Sequence, residues 1–362
     1  MYTKSVIFLL IMVTWLSPLS VAAFDYALIV DHKCIKVDKI PDKWILKAKQ
    51  RFHIAYGHTS HGSQIVSGMK VLAQNNPLYS YSISGENDSL KFHDRAFSRS
   101  RHDLGHNGDT RWADLTRAYL NQPEHSDVNL VMWSWCGGVS DNTEEGINAY
   151  LQAMNRLEEE YPNVIFVYMT GHLDGTGEDG NLHQRNEQIR RYCRENNKVL
   201  FDFADIESYD PDGNYFLDKG ANDGCNYAGG NWAKEWCDAH PGQCSSVSCA
   251  HSHSLNCDMK GRAFWWMLAR LAGWLPAPQV KLAVQGRFAR LFWQAVDGAL
   301  YYVLYYAPFP YQGPETIGSA NLGNITEISA TLPQGFAYYL ALKSARGDDI
   351  SEFSNIVLLE IN

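Results

Sequence analysis

Serine, cysteine, histidine and glycine residues gather directly after several predicted strands. His53–Tyr56 is predicted to be a strand, and Gly57–Ser63 follows it with two histidines and three hydroxyl side chains. Asn129–Trp135 is predicted to be another, and Cys136–Asn142 follows it with a thiol, two glycines and a side-chain amide. A hydroxyl becomes a strong nucleophile when a neighbouring imidazole takes its proton, and fixed N–H donors stabilise the oxyanion that forms. These segments therefore combine the residue types that a nucleophile and an oxyanion site require.

Strand-like and helix-like segments alternate from residue 53 to residue 271. Further strands are predicted at Tyr79–Ser84, Val164–Thr170 and Val199–Phe203, and helices at Ser63–Ala73, Thr143–Glu160, Leu182–Asn196 and Met259–Leu271. This alternation predicts a parallel sheet with helices on both faces. Ligands bind such a sheet beyond the carboxyl ends of its strands, where the strand order reverses. The residues that follow the strands should therefore meet there.

The order of these features resembles the SGNH hydrolases, a superfamily of serine esterases and lipases on a flavodoxin-like sheet. The resemblance covers roughly residues 50–273. It implies that Ser60 is the nucleophile, with Ser63 in reserve, because the family's serine follows the first strand. It further implies that His253, or His251 beside it, is the base.

The same resemblance implies an oxyanion hole formed by the backbone of Gly105 and the side chain of Asn142. One feature of the family is missing. The aspartate that stands three residues before the base is replaced by Ala250 before His253. A backbone carbonyl or another carboxylate, such as Asp258, would have to orient the imidazole.

All eight cysteines lie between Cys34 and Cys257, and five of them fall after residue 224. In an exported protein such cysteines form disulfides. Because five is odd, full pairing would join that stretch to Cys34, Cys136 or Cys193. Cys136 could instead be a thiol nucleophile, but an oxidising compartment favours a disulfide.

The first 23 residues predict export. Lys4 precedes the apolar run Val6–Leu16, and small residues end at Ala23, as in a cleaved signal peptide. We expect a secreted or periplasmic protein without a membrane span, because the run is shorter than a bilayer requires. The formal net charge of −9 argues against nucleic acid as a partner.

The sequence changes character after the α/β region. Residues 24–275 form the predicted α/β domain, residues 276–279 a linker, and residues 280–362 a β-rich segment without cysteine. Leu291–Ala299 with Tyr301–Tyr306 resembles the early strands of a fibronectin type III domain. Tyr338–Leu342 with Ser351–Asn355 resembles its end. The resemblance implies an all-β sandwich that acts as a spacer or adhesive unit.

These observations favour a secreted serine hydrolase that cleaves an acyl ester, on a small molecule or a polysaccharide, without a cofactor. The carbohydrate part depends on the many Trp and Tyr residues, the acidity and the appended module. Two alternatives remain open. One is a non-catalytic protein that binds carbohydrate or a surface, and the other a metal-dependent hydrolase that uses four histidines, namely His58, His61, His251 and His253.

Overall fold

The structure is a computed structural model that describes residues 26–97 and 103–361. The predicted signal peptide of residues 1–23 lies outside the described residues. An α/β unit comes first along the chain, and an all-β unit follows it. Each unit has a hydrophobic core of its own.

The α/β unit is built on a sheet of seven parallel strands. They are β1 (Leu28–Val30), β2 (His53–Gly57), β3 (Tyr81–Ser82), β4 (Leu90–Asp94), β5 (Leu130–Trp133), β6 (Ile165–Met169) and β7 (Val199–Phe201). Their order is β1-β7-β6-β5-β2-β4-β3. The five central strands thus follow the flavodoxin-like order, which confirms the predicted fold class. The strand order reverses between β2 and β5.

Eight α-helices accompany the strands in the described residues. They are α1 (Asp42–Arg51), α2 (Ser63–Asn75), α3 (Arg111–Leu120), α4 (Glu144–Glu160), α5 (Asn181–Glu195), α6 (Phe203–Glu207), α7 (Trp232–Ala239) and α8 (Ser254–Leu271). Helices α1 and α2 both contact α8, and α4 contacts both α3 and α5. Because crossovers between parallel strands are right-handed, the two groups cover opposite faces. Strands β5 and β6 are therefore buried along their whole length.

Three strands differ from the sequence prediction, and one of them, β1, was not predicted at all. The segment predicted at Tyr79–Ser84 contributes only β3, at the edge of the sheet. The partner of β2 on that side is β4, which was not predicted. It alternates buried residues with Lys91 and His93, so it lacks the apolar run that marks the central strands.

The all-β unit is a sandwich of two antiparallel sheets, which confirms the second predicted fold. One sheet joins β10 (Val280–Gln285), β11 (Phe288–Trp293) and β14 (Glu327–Thr331). The other joins β12 (Tyr301–Pro308), β13 (Gly318–Gly323), β15 (Ala337–Arg346), β16 (Asp349–Ile350) and β17 (Val357–Glu360). A separate hairpin, β8 (Asn226–Tyr227) with β9 (Gly230–Asn231), precedes α7 in the first unit.

The disulfides lie within the cysteine-rich stretch. They join Cys237 to Cys244 and Cys249 to Cys257. The expectation that this stretch is linked to Cys34, Cys136 or Cys193 is wrong, because these three and Cys225 are free thiols. Among the described residues, no helix has both the length and the hydropathy to span a membrane.

Candidate active site

The candidate site lies where the strand order reverses, beyond the carboxyl ends of β2 and β5. Gly57 ends β2 beside Trp133, the last residue of β5. A Cβ at Gly57 would lie 2.3 Å from the Trp133 ring, so only glycine allows the two strands to end this close together. The turn after β2 and the turn after β5 therefore meet at one crevice.

Cys136, in the turn after β5, is the half-buried thiol of this crevice. Its Sγ lies 3.2 Å from Nδ1 of His61 and 3.6 Å from Oγ of Ser60, both in the turn after β2. A disulfide was expected for Cys136, but it has no cysteine partner. The thiol therefore faces a hydroxyl and an imidazole.

The His61 ring connects Cys136 to a carboxylate. Its second nitrogen, Nε2, lies 3.0 Å from Oδ2 of Asp223. Asp223 belongs to the loop before β8, and its backbone N–H donates to the carbonyl of Leu173 at 3.0 Å. Thiol, imidazole and carboxylate thus form one hydrogen-bonded chain, the arrangement that activates a nucleophile and orients its base.

The hydrogen bonds of His61 shift the pKa values of Cys136 and His61 in opposite directions, and both shifts favour the charged forms. The hydrogen bond to His61 lowers the pKa of Cys136 to about 6, although burial opposes this. Burial would lower the pKa of His61, but its hydrogen bonds to Asp223 and Cys136 outweigh burial and raise it to about 9. Between these values the pair consists of a thiolate and an imidazolium. The thiolate is the nucleophilic form of cysteine.

Two further imidazoles stack on the His61 ring. The His172 ring is parallel to it at a centroid distance of 3.6 Å, and the His251 ring lies at 4.4 Å. His172 Nε2 accepts from the backbone N–H of Gly137 at 3.2 Å, and its Nδ1 donates to the carbonyl of Leu173 at 3.0 Å. Burial lowers the pKa of His172, which fits this neutral tautomer. The ring therefore fixes the residue next to Cys136.

The structure separates the predicted nucleophile from one predicted base. Ser60 lies in the crevice beside Cys136, and Ser63 Oγ donates to the Ser60 carbonyl at 2.6 Å. His253 is the N-cap of α8, where its Nδ1 accepts from the backbone N–H of Leu255 at 3.2 Å. In the described part of the chain, no hydrogen bond joins Ser60 to His253. His251, the second predicted base, reaches the site through its stack on His61.

The two predicted oxyanion donors already have acceptors. The backbone N–H of Gly105 donates to Oδ1 of Asp103 at 2.9 Å. Asn142 Nδ2 donates to the carbonyl of Gly138 at 2.9 Å. A Cβ at Gly138 would lie 1.8 Å from the Gly105 carbonyl oxygen, so these residues hold the turn after β5 against a neighbouring loop.

Unused backbone donors lie at the start of α2 instead. Within residues 26–97 and 103–361, the N–H groups of His61 and Gly62 donate no hydrogen bond. They immediately precede α2, whose dipole favours negative charge at this end. These N–H groups are candidates for binding an oxyanion near Cys136.

A metal ion could compete for part of this site. The ligand atoms of His61, Asp223 and His251 all lie within 4.8 Å of one another. His58 and His253 do not belong to this group, because His58 Nε2 lies 2.5 Å from Oδ1 of Asp94 and His253 caps α8. The four histidines proposed from the sequence therefore do not form one cluster.

Asp223 is the site residue that sequence reasoning missed. It stands in the segment Asn222–Gly224, which has the composition of a turn and no regular spacing to the other site residues. His61 lies in the segment that follows the first predicted strand, and only the metal-dependent alternative gave it a role. Its contact with Asp223 spans 162 positions, so only the folded chain reveals it.

No protein-family model and no curated protein matches the chain. Solved structures of fibronectin type III domains match about a quarter of the chain. This is about the length of the β-sandwich. The fn3 domain of the human collagen alpha-1(XX) chain is 30% identical, with a TM-score of 0.21, and the match covers 24% of this chain and 86% of that one. A two-domain fibronectin type III segment from chicken tenascin is 18% identical, with a TM-score of 0.20, covering 23% and 49%.

Proposed function

We propose that the α/β unit is a hydrolase of acyl esters in which Cys136 is the nucleophile, His61 the acid and base, and Asp223 the residue that orients His61. One observation carries this proposal, the hydrogen-bonded chain from Cys136 through His61 to Asp223. No comparable contact joins Ser60 to an imidazole in the described residues. The SGNH resemblance implies that the Ser60 hydroxyl is the nucleophile. The proposal assigns this role to the neighbouring thiol of Cys136 instead.

The first half of the reaction forms a thioester. The Cys136 thiolate attacks the ester carbonyl, a C–S bond forms, and the electron pair moves onto the oxygen, near the N–H groups of His61 and Gly62. When the tetrahedral intermediate collapses, the C–O bond of the ester breaks. The His61 imidazolium then donates its Nδ1 proton to the leaving alkoxide, and an alcohol is released.

The second half returns the enzyme to its starting state. Neutral His61 takes a proton from water, and the resulting hydroxide attacks the thioester carbonyl. The C–S bond breaks, and Cys136 leaves as a thiolate beside the imidazolium. Asp223 stabilises this imidazolium in both halves without being protonated itself. The products are a carboxylic acid and an alcohol.

The proposed substrate is an acyl group on an extracellular polysaccharide or on a smaller alcohol. The net negative charge and the appended sandwich support an exported enzyme that acts outside the cell. The two disulfides support this location, because disulfides persist in oxidising compartments. The disulfides fit a secreted protein and a periplasmic protein equally well.

Hydrolysis of 4-nitrophenyl acetate by single variants tests which nucleophile is used. We expect Cys136→Ala to abolish turnover and Ser60→Ala to retain most of it. Mass spectrometry of a stalled reaction should find the acetyl group on Cys136. Turnover that survives Cys136→Ala but is lost in Ser60→Ala would restore the serine as nucleophile, and absence of any turnover would favour a binding protein.

A metal-dependent hydrolase is the second candidate, favoured by the proximity of His61, Asp223 and His251. A catalytic zinc has three protein ligands and keeps one position for water. This route predicts that a chelator abolishes turnover, that added Zn²⁺ restores it, and that Cys136→Ala remains active. The thiol route predicts the reverse for all three measurements.

A further inference from the structure

A buried ion pair lies beside the segments that carry the stacked imidazoles. The side chains of Lys260 and Glu207 are fully buried, with Nζ 2.5 Å from Oε1. Lys260 Nζ also donates to Oε1 of Gln64 and lies 3.7 Å from the centre of the Phe203 ring. Burying two charges costs desolvation that an apolar pair of similar volume would avoid, so such a pair is weak evidence for stability. Its contacts indicate a different role.

Glu207 holds the segment of His172. Its Oε2 accepts from the backbone N–H of Leu173 at 2.8 Å, one residue after His172. Its Oε1 accepts from Nδ2 of Asn256, in the first turn of α8, at 3.3 Å. The carboxylate therefore fixes the backbone from which the His172 ring projects onto His61.

Gln64 holds the segments of the other two rings. Its Nε2 donates to the carbonyl of Ala250 at 2.6 Å, one residue before His251. Its backbone N–H donates to the carbonyl of His61 at 3.0 Å. Because Lys260 bonds both Gln64 and Glu207, one ammonium group connects all three segments.

We propose that Gln64, Glu207 and Lys260 form a buried node that positions the three stacked imidazoles and so keeps His61 in contact with Cys136. These are positioning residues, since none of them touches the reacting atoms. The inference rests on the proposed function, in which His61 is the acid and base. The buried charges of Glu207 and Lys260, which stability alone does not require, then serve to position His61.

Two variants of the full chain test the node. The double variant Lys260→Met with Glu207→Gln removes both charges together, so no lone charge is left buried. Gln64→Met keeps both charges and removes only the bonds to Lys260 and Ala250. The readouts are the pH midpoint of alkylation of Cys136 by iodoacetamide and kcat/KM for 4-nitrophenyl acetate.

We expect both variants to raise the alkylation midpoint and to lower kcat/KM about 10- to 100-fold, because small misplacements of reacting groups cost this much. The alkylation midpoint also depends on the titratable groups that face Cys136 and His61. Apart from Glu207 itself, these are Asp223, His172 and His251. Gln64→Met keeps the Glu207 charge. A shifted alkylation midpoint in this variant is therefore caused by lost positioning and not by a lost charge.

The partly buried pair of Lys198 and Glu158 provides the control. Lys198→Met with Glu158→Gln should change Tm but leave the midpoint and kcat/KM as in wild type. Folded node variants with the wild-type midpoint and kcat/KM would overturn the inference. If wild type lacks thiol-dependent turnover, the proposed function fails, whereas a shifted midpoint in Gln64→Met would still support the node.

Discussion

The four free cysteines differ in what surrounds their sulfur atoms. Burial raises the pKa of Cys34 and Cys193 well above the ordinary value and that of Cys225 to about 11. Cys136 alone among them has an imidazole within hydrogen-bonding distance, which lowers its pKa to about 6. Reactivity of a cysteine follows its thiolate fraction and exposure. The four thiols should therefore react very differently with one reagent.

Alkylation by iodoacetamide at different pH values measures this difference. The thiolate exists above the pKa, so the rate at Cys136 should rise as the pH passes about 6 and then level off. Cys34, Cys193 and Cys225 should stay unlabelled in the folded protein. Peptide mapping after short exposure identifies the site. His61→Asn should move the midpoint of Cys136 upwards, and an unchanged midpoint would contradict the ion pair.

Replacing Asp223 should weaken the base without removing it. Asp223→Asn takes away the carboxylate that raises the pKa of His61, so the imidazolium is less stable and the pKa of Cys136 rises. By analogy with serine triads, we expect kcat/KM to fall about 10²- to 10⁴-fold. Asp218→Asn, at an exposed position in the same loop region, is the matched control and should keep wild-type kcat/KM. Equal kcat/KM in both variants would remove Asp223 from the mechanism.

At the scale of elements, α2 and α8 approach each other at two glycines. A Cβ at Gly68 would lie 1.9 Å from the Cys257 carbonyl oxygen, and one at Gly261 would lie 2.2 Å from the Gly68 carbonyl carbon. The neighbours are backbone atoms, so no side-chain rotation can relieve the clash. This close contact holds the turn of His61, before α2, against the segment of His251, before α8.

Gly261→Ala should therefore destabilise the protein despite its higher helix propensity. Alanine gains up to about 1 kcal/mol in a helix interior, whereas overpacking costs about 1–3 kcal/mol or more when backbone must move. We expect a net loss in the free energy of unfolding, measured with urea. Lys70→Ala, at an exposed position of α2, is the control and should change it little. Equal stability of the two variants would contradict the close packing.

The sequence predicts the elements that are buried on both faces and misses those that are not. Strands β2, β5, β6 and β7 form apolar runs, and their predicted positions are confirmed. In β4 the charge of Lys91 interrupts the pattern, and β1 has only three residues. For the site, strand ends indicated Cys136 and His61 as neighbours. Asp223 could not be found, because no local pattern joins it to them.

At the scale of the whole molecule, the sandwich contacts the α/β unit away from the candidate site. Arg270, in the last turn of α8, donates to the Asp297 carbonyl, and Arg346 lies 4.7 Å from the Tyr26 ring centre. Tyr26 precedes β1, so it lies at the edge where parallel strands begin. The candidate site lies at the opposite edge, beyond the ends of β2 and β5. These contacts therefore join the sandwich to the edge of the sheet opposite the candidate site, which fits the proposed role of the sandwich as a spacer.

Separate cores predict that damage to the sandwich spares the site. Trp293 is buried in the sandwich core, where its ring packs edge-on against Tyr302 at 5.3 Å. Trp293→Ala should cost about 3–5 kcal/mol, because it removes a large buried ring. In calorimetry of the full chain we expect one transition to move to lower temperature while the other stays, with the alkylation midpoint of Cys136 unchanged. Trp112→Ala, in the α/β core, should move the other transition. If either variant shifts both transitions together, the two units unfold as one, and the sandwich is part of the scaffold of the site rather than a spacer.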